Sequence, residues 1–327
     1  MATSLLSFDD VRLGGLPVYS LTLEEKWHDM QLLLKYDRTR LIEDGIVGQS
    51  MHGLALAGHY FPHAWGVRCG GRLSPLDTFA DDERLQNALS RREKYGTLKS
   101  ESDLRKALRT VSGTQAVSNF RPSAAAALYD RYMPEGDGVT WDMSSGYGGR
   151  MLGAIASDRV RKYIGSDPAS LTFDGLTEMA AELPPMAEHL GVEPTEIELH
   201  RLGSENFVPD KGSTKLAFAS PPYYNAEQYS EEPTQSYVKF RTPEAWLDGF
   251  LGATLSNCRI GLAADGRLVI NIANVSSYPN LTEDFLWLAR QCGFKHIETL
   301  RLALSAMPGT RDGSPYKFEP TYVFEKA

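Results

Sequence analysis

Two short stretches combine residue types and spacings that can do chemistry. The first is Asp142-Met-Ser144-Ser-Gly146-Tyr-Gly148-Gly149, set where an apolar run gives way to a helical pattern. Glycines at such a junction let the backbone turn sharply and approach a ligand, while the first N–H groups of the helix point outward. It is not a dinucleotide fingerprint, because G-x-G-x-x-G needs glycine where Met151 stands, and it lacks the Gly-Lys-Ser/Thr of a phosphate loop. An acid four positions before the first glycine suits a ligand with a cationic amino group. Asp167 follows the apolar run YIGS 25 residues later, and Glu205 follows a third run in GSENF. A carboxylate at the tip of the second strand of a doubly wound sheet accepts both hydroxyls of an adenosine ribose. Glu205 is expected to meet the adenine side.

The second stretch is Ser220-Pro221-Pro222-Tyr223, which ends the apolar run KLAFA. Two prolines after a strand cannot continue its ladder and force a rigid, extended turn. A hydroxyl, a freed carbonyl and an aromatic face are thereby fixed relative to one another. That combination suits a flat heterocycle bearing an NH2 group: Ser220 Oγ and the Pro221 carbonyl accept its two N–H bonds, and Tyr223 stacks on its ring.

The surrounding elements must hold these stretches. From about residue 115 apolar runs alternate with helical patterns, the signature of parallel βαβ units. A strand, glycine turn and helix are expected over 138–157, strands with their turns over 161–169, 195–207 and 214–225, a buried strand in 266–275, and two terminal strands over 296–305 and 321–327. The helix expected in 170–192 should break at Pro184–Pro185. Before residue 112 the text reads as helices and loops. Thr22 and Glu25 form a capping box that opens a helix expected to run over 21–45, and further helices are expected over 81–96 and 101–113. The segment 226–243 is polar and too long for a tight connection, so it is suspected of function.

With both stretches in view, the chain resembles the S-adenosylmethionine-dependent amino-methyltransferases of DNA, which make N4-methylcytosine or N6-methyladenine. DMSSGYGG is similar to their methionine-binding loop and SPPY to their catalytic motif. SGTQAVSNFRP (112–122) is similar to their other cofactor motif, and YKFEPTYVFEKA to their closing hairpin. The resemblance covers residues 112–327 and gives residues 1–111 no role. It implies a Rossmann-like, doubly wound, mostly parallel α/β sheet of seven strands with a terminal antiparallel hairpin, behind a mainly helical N-terminal extension. It implies S-adenosylmethionine held by Asp142, Ser144, Gly146, Gly148, Gly149, Asp167 and Glu205, with Asn119, Phe120 and Arg121 from the preceding motif. Catalysis falls to Ser220, Pro221, Pro222 and Tyr223. The implied partner is DNA, with RNA or an amine-bearing small molecule as the alternative. Two features depart from the family: Ser220 stands where the adenine enzymes usually carry Asp or Asn, and no separate target-recognition domain follows SPPY.

Composition sets bounds. The 327 residues carry 42 acids against 34 bases, a net charge of −8, where a nucleic-acid binder more often shows a basic face. The balance is uneven, since eight bases (Arg84, Arg91, Arg92, Lys94, Lys99, Arg105, Lys106, Arg109) face three acids between 84 and 109. No apolar run reaches the roughly 18 residues of a membrane span. Three scattered cysteines, Cys69, Cys258 and Cys292, support neither a disulfide framework nor a zinc knuckle, so a reducing, cytoplasmic setting is expected. No metal is expected, because Pro62 lies between His59 and His63 and breaks any helix that would pair them. Trp246 and Trp287 read as packing residues. A monomer or homodimer is expected.

Overall fold

The computed structural model describes residues 6–48, 50–306 and 316–327. The chain opens with α1 (Phe8–Gly14) and α2 (Leu23–Lys35), a short hairpin of β1 (Ile42–Glu43) and β2 (Ile46–Val47), and then α3 (Leu54–His59), β3 (Arg68–Cys69), α4 (Pro75–Ala80), α5 (Asp82–Lys94) and α6 (Glu101–Thr110). Strands and helices then alternate: α7 (Pro122–Tyr132), β4 (Val139–Asp142), α8 (Gly149–Ile155), β5 (Lys162–Ser166), α9 (Ser170–His189), β6 (Glu196–His200) and β7 (Thr214–Ala219). The last part holds β8 (Glu227–Gln228), α10 (Ser236–Lys239), α11 (Pro243–Trp246), α12 (Ala253–Gly261), β9 (Leu262–Asn271), α13 (Leu281–Gln291), β10 (Phe294–Ala306) and β11 (Tyr316–Lys326).

The main sheet runs β1-β2-β10-β11-β9-β7-β4-β5-β6. Its centre, from β9 to β6, is parallel throughout, and β11 lies antiparallel between β9 and β10. The expected seven strands are present, but the sheet has nine. The helix expected over 21–45 stops at Lys35, and Ile42–Val47 turns back on itself as a hairpin whose second strand pairs in parallel with β10 through Arg301↔Ile46 and Leu302↔Val47. Asp44 and Gly45 both take positive φ, 51° and 72°, as a two-residue hairpin turn requires. A second correction concerns α9, which runs unbroken through Pro184 and Pro185. Leu176, Met179, Leu183, Met186 and Ala187 bury one continuous face, which offsets the backbone bonds the prolines cannot make.

Strand residues alternate between the two faces of the sheet. On β7, Leu216 and Phe218 enter a core with Met151 and Leu152 of α8 and Leu128 and Tyr129 of α7. Ala217 and Ala219 face the other core, built with Leu255 and Cys258 of α12 and Phe285 of α13. The first core also takes Met30, Leu33, Leu56, Tyr60 and Phe61, so it draws on both sides of the division expected at 111/112. Val11, Trp65, Leu85, Leu89, Leu98, Leu104 and Leu108 form a smaller core among the N-terminal helices. Trp246 is buried, whereas Trp287 lies 55% exposed, because Leu281, Phe285 and Leu288 define the inward face of α13. Among the described residues no helix is long and apolar enough to cross a membrane.

Candidate active site at the strand switch point

Beyond β4 the chain builds outward to β5 and β6, then returns to the other side of β4 for β7 and β9. The strand order therefore reverses between β4 and β7, which pair directly through Thr140↔Leu216 and Trp141↔Ala217. Open α/β sheets bind ligands at such a switch point, beyond the carboxyl ends of the strands. The glycine bend follows β4, and the serine–diproline turn follows β7. Both singled-out stretches thus leave the same edge of the sheet from neighbouring strands.

Glycine is required within the bend. Gly148 caps α8 with φ 69°, and a Cβ there would stand 2.5 Å from Met179 Sδ. A Cβ on Gly149 would be driven into the carbonyl oxygen of Phe120. Asn119 Nδ2 donates to the Tyr147 carbonyl at 2.8 Å, so residues 119–120 brace the bend from outside. The Phe120 ring packs edge-on against Phe218, with the Arg150 guanidinium 5.7 Å away. Ser144 is half-buried, its amide bound to Asp142 Oδ1 at 3.2 Å.

Two of the expected cofactor ligands bond to other parts of the protein. Asp142 is fully buried and taken by Arg150, whose Nε and guanidinium NH2 donate to its two oxygens at 2.9 and 3.1 Å; the Tyr163 hydroxyl adds a third bond at 2.8 Å. Burial alone would depress the Arg150 pKa, but the adjacent carboxylate raises it above the ordinary arginine value. Asp142 thus braces the bend from beneath through Arg150 and Tyr163. Arg121 turns away from the glycines toward β10, where it donates to the Ala303 carbonyl at 3.2 Å.

Asp167 and Glu205 stay at the strand ends. Asp167 accepts the Gly146 and Ala169 amides, each at 3.0 Å, tying the glycine bend to the end of β5. Burial pushes its carboxyl up to about 7, against the pull of those two amides. Glu205 pairs with Lys239 at 2.7 Å through Oε1, and its Oε2 is buried without a partner.

At the second stretch, Ser220 Oγ lies 3.3 Å from Asn271 Oδ1 and 3.4 Å from the Tyr223 hydroxyl. That hydroxyl also meets Asn271 Oδ1 at 3.1 Å and Glu319 at 3.3 Å. Asn271 Nδ2 donates to the Pro320 carbonyl at 3.0 Å, which turns its acceptor oxygen toward Ser220. The next residue, Tyr224, holds φ at 56°, a strained value for a bulky side chain, with its hydroxyl anchored on the Arg241 carbonyl at 2.7 Å. Glu227 and Glu319 lie on this side of the site, and burial raises the pKa of both. Sequence reasoning missed Asn271 and Glu319. Asn271 did carry a signal, as a polar residue closing the apolar run RLVI; nothing marked Glu319.

No protein-family model and no curated protein matches the sequence. Among solved structures the chain is similar to a TehB-like SAM-dependent methyltransferase from Corynebacterium glutamicum ATCC 13032 Kitasato, with 17% identity and TM-score 0.39 over 73% of this chain and 99% of that one. It is also similar to a geranyl diphosphate methyltransferase in complex with GPP and sinefungin, with 14% identity and TM-score 0.41 over 62% and 76%. A third likeness is to the 1,6-didemethyltoxoflavin-N1-methyltransferase of Burkholderia thailandensis, with 14% identity and TM-score 0.38 over 62% and 76%. Likenesses this distant decide neither activity nor ligand, which rest on the site itself.

Proposed function

We propose that the protein is an S-adenosylmethionine-dependent methyltransferase acting on an amino nitrogen. The reading is carried by one observation: the glycine bend and the Ser-Pro-Pro-Tyr turn flank the switch point on paired strands β4 and β7. The residues present fit the cofactor. Gly146 leaves the space beside the bend open, with only the Ser144 carbonyl oxygen near where a Cβ would stand, Asp167 offers a carboxylate at the end of β5, and Glu205 stands just past the end of β6. When bound, the cofactor supplies an electrophilic methyl on a sulfonium.

The chain's own residues prepare the nucleophile. An exocyclic amino nitrogen is weak because its lone pair is conjugated into the ring. Asn271 Oδ1 accepts the Ser220 hydroxyl proton, leaving a Ser220 lone pair to accept one substrate N–H while the Pro221 carbonyl accepts the other. Electron density then gathers on nitrogen and its geometry becomes pyramidal. Held beside Asp167, the cofactor would supply its methyl to that lone pair, the C–S electrons staying on sulfur, and the surplus proton would leave to solvent. Orientation of this kind is worth about 7–11 kcal/mol in favourable cases.

The resemblance favours a DNA base, adenine N6 or cytosine N4, as acceptor, and a duplex base would have to be flipped out to reach Ser220. A second reading is RNA or an amine-bearing small molecule; the half-buried carboxylates Glu227 and Glu319 on the acceptor side and the net charge of −8 favour its small-molecule form, since both oppose any polyanion. Incubation with methyl-labelled cofactor and a panel of unmethylated DNA, RNA and small amines, followed by digestion and mass spectrometry, tests both. Label on an amino nitrogen of one class supports the reading. Label on carbon or oxygen, or none on any acceptor, contradicts it.

A further inference from the structure

The bases of the N-terminal helices gather on one face. On α5, Leu85 and Leu89 enter the small core, while Arg84, Asn87, Arg91 and Lys94, at i, i+3, i+7 and i+10, share an exposed side. From Arg84 to Lys94 that side runs about 15 Å. Tyr95 follows at its end, 70% exposed, and Lys99 and Lys106 are exposed in the next loop and on α6, which packs against α5. The acids nearby are already engaged. Asp81 caps α5 and pairs with Arg84 at 3.7 Å, Asp82 pairs with Arg12, Glu101 pairs with Arg105 at 3.1 Å, and Asp103 caps α6. Glu93 lies two residues from Arg91, on the other side of the helix. Among the described residues Arg91, Lys94, Lys99 and Lys106 therefore have no ion-pair partner. Cations in the last turn of α5 suit its dipole, but Lys99 and Lys106 lie outside that turn. The stripe begins near the acceptor side of the site. Arg84 comes within 3.9 Å of where a Cβ on Gly113 would stand, and Gly113 opens the segment carrying Ser118, whose amide meets Glu227 at 3.5 Å.

We propose that this stripe, with Arg91 and Lys94 at its centre, holds the phosphate backbone of duplex DNA while a base is presented to Ser220. This rests on the DNA-base form of the reading above, but it gives residues before 112 a role that form leaves open. The net charge of −8 is a sum over the whole chain, whereas an approaching polyanion answers to the local field, which on this face is positive. Glu227 and Glu319 repel a backbone laid directly over the acceptor side, so the phosphates have to be held from one flank. Free guanidinium and ammonium groups do this by displacing counterions from a duplex that carries about one charge per 1.7 Å of its axis. Phosphate contacts position a duplex without reading its bases, so the stripe sets affinity and placement rather than target sequence.

Fluorescence anisotropy of a labelled, unmethylated DNA duplex across a salt series, with S-adenosylhomocysteine present, tests this. The double variant Arg91→Ala/Lys94→Ala should weaken binding by about tenfold or more at low salt and flatten the slope of log affinity against log salt by about two. The double variant Lys211→Ala/Lys295→Ala removes the same charge from exposed sites elsewhere and should leave the slope unchanged. Affinity for S-adenosylhomocysteine should be the same in all three proteins, because neither pair touches the glycine bend. An unmoved slope in the first variant, an equal fall in the second, or a loss seen with an RNA duplex and not with DNA would overturn the proposal. Methyl labelling of the same duplex separates this from the reading beneath it. A wild type that labels DNA while the slope stays unmoved overturns the stripe alone, and one that neither binds nor labels the duplex overturns the DNA-base reading as well.

Discussion

Asp142 and Arg150, eight residues apart and joined by two hydrogen bonds, form a buried ion pair directly beneath the glycine bend. Arg150 also donates to the Ser144 carbonyl, so the pair fixes the path of the loop it spans. Removing one partner of a buried pair strands the other charge in a low-dielectric interior. Asp142→Ala should lower the unfolding free energy by about 3–5 kcal/mol, read as a shift of the urea midpoint. A change within about 0.5 kcal/mol, typical of surface sites, would mean that Arg150 finds water instead.

Gly149→Ala should damage the bend by a different route. The new methyl meets the Phe120 carbonyl, which cannot move without disturbing the Asn119 bond to Tyr147. Overpacking of this sort costs about 1–3 kcal/mol, and thermal unfolding will measure it. Affinity for S-adenosylhomocysteine should fall with it.

Cofactor binding should depend on pH through Asp167. Its carboxyl, raised by burial to about 7, accepts ribose hydroxyls best when ionised. Affinity for S-adenosylhomocysteine should therefore rise between pH 6 and 8 by up to about tenfold, and Asp167→Asn should weaken binding and flatten that rise. The same shift has a stability consequence of opposite sense. A carboxyl whose folded pKa lies above its unfolded value stabilises the fold at low pH, and that contribution is lost as pH rises from about 4 through about 7. A wild-type affinity that stays flat across neutral pH would remove Asp167 from the ribose role.

Asn271 Oδ1 stands 3.3 Å from Ser220 Oγ, where it accepts that hydroxyl. Asn271→Ala should cut turnover by at least about tenfold, as loss of an orienting acceptor does, while S-adenosylhomocysteine affinity stays unchanged. Equal turnover in the variant and the wild type would show that Ser220 keeps its orientation unaided.

The strands that carry the site were legible because β4, β5, β6 and β7 are each followed within four residues by glycine or proline, residues that stop a ladder and say where the chain turns. The hairpin was not, although Asp44-Gly45 between Ile42 and Val47 is a strong two-residue turn signal. Leu34 and Leu41 continued the helical spacing up to its first strand, and the period won over the turn. Pro184–Pro185 misled in the other direction, since a fully packed helix face outweighed two missing amides. Asp142 was found for its loop, but its bonds to Arg150 were not. Its distance from Gly146 is a matter of sequence, but Arg150 reaching back eight residues is a matter of how α8 packs. Lys239 and Glu319 lie farther still along the chain from what they touch, and only the assembled sheet brings them there.

The account stands on the glycine bend and the serine–diproline turn serving one ligand-filled site. A crystal structure with S-adenosylhomocysteine bound is the direct measurement. The account predicts the nucleoside between Asp167 and Glu205 and the sulfur directed at Ser220, leaving the roughly 3–3.5 Å approach between reacting atoms that methyl transfer needs. A cofactor bound away from the β4–β7 switch point, or one whose sulfur faces away from Ser220, would contradict it.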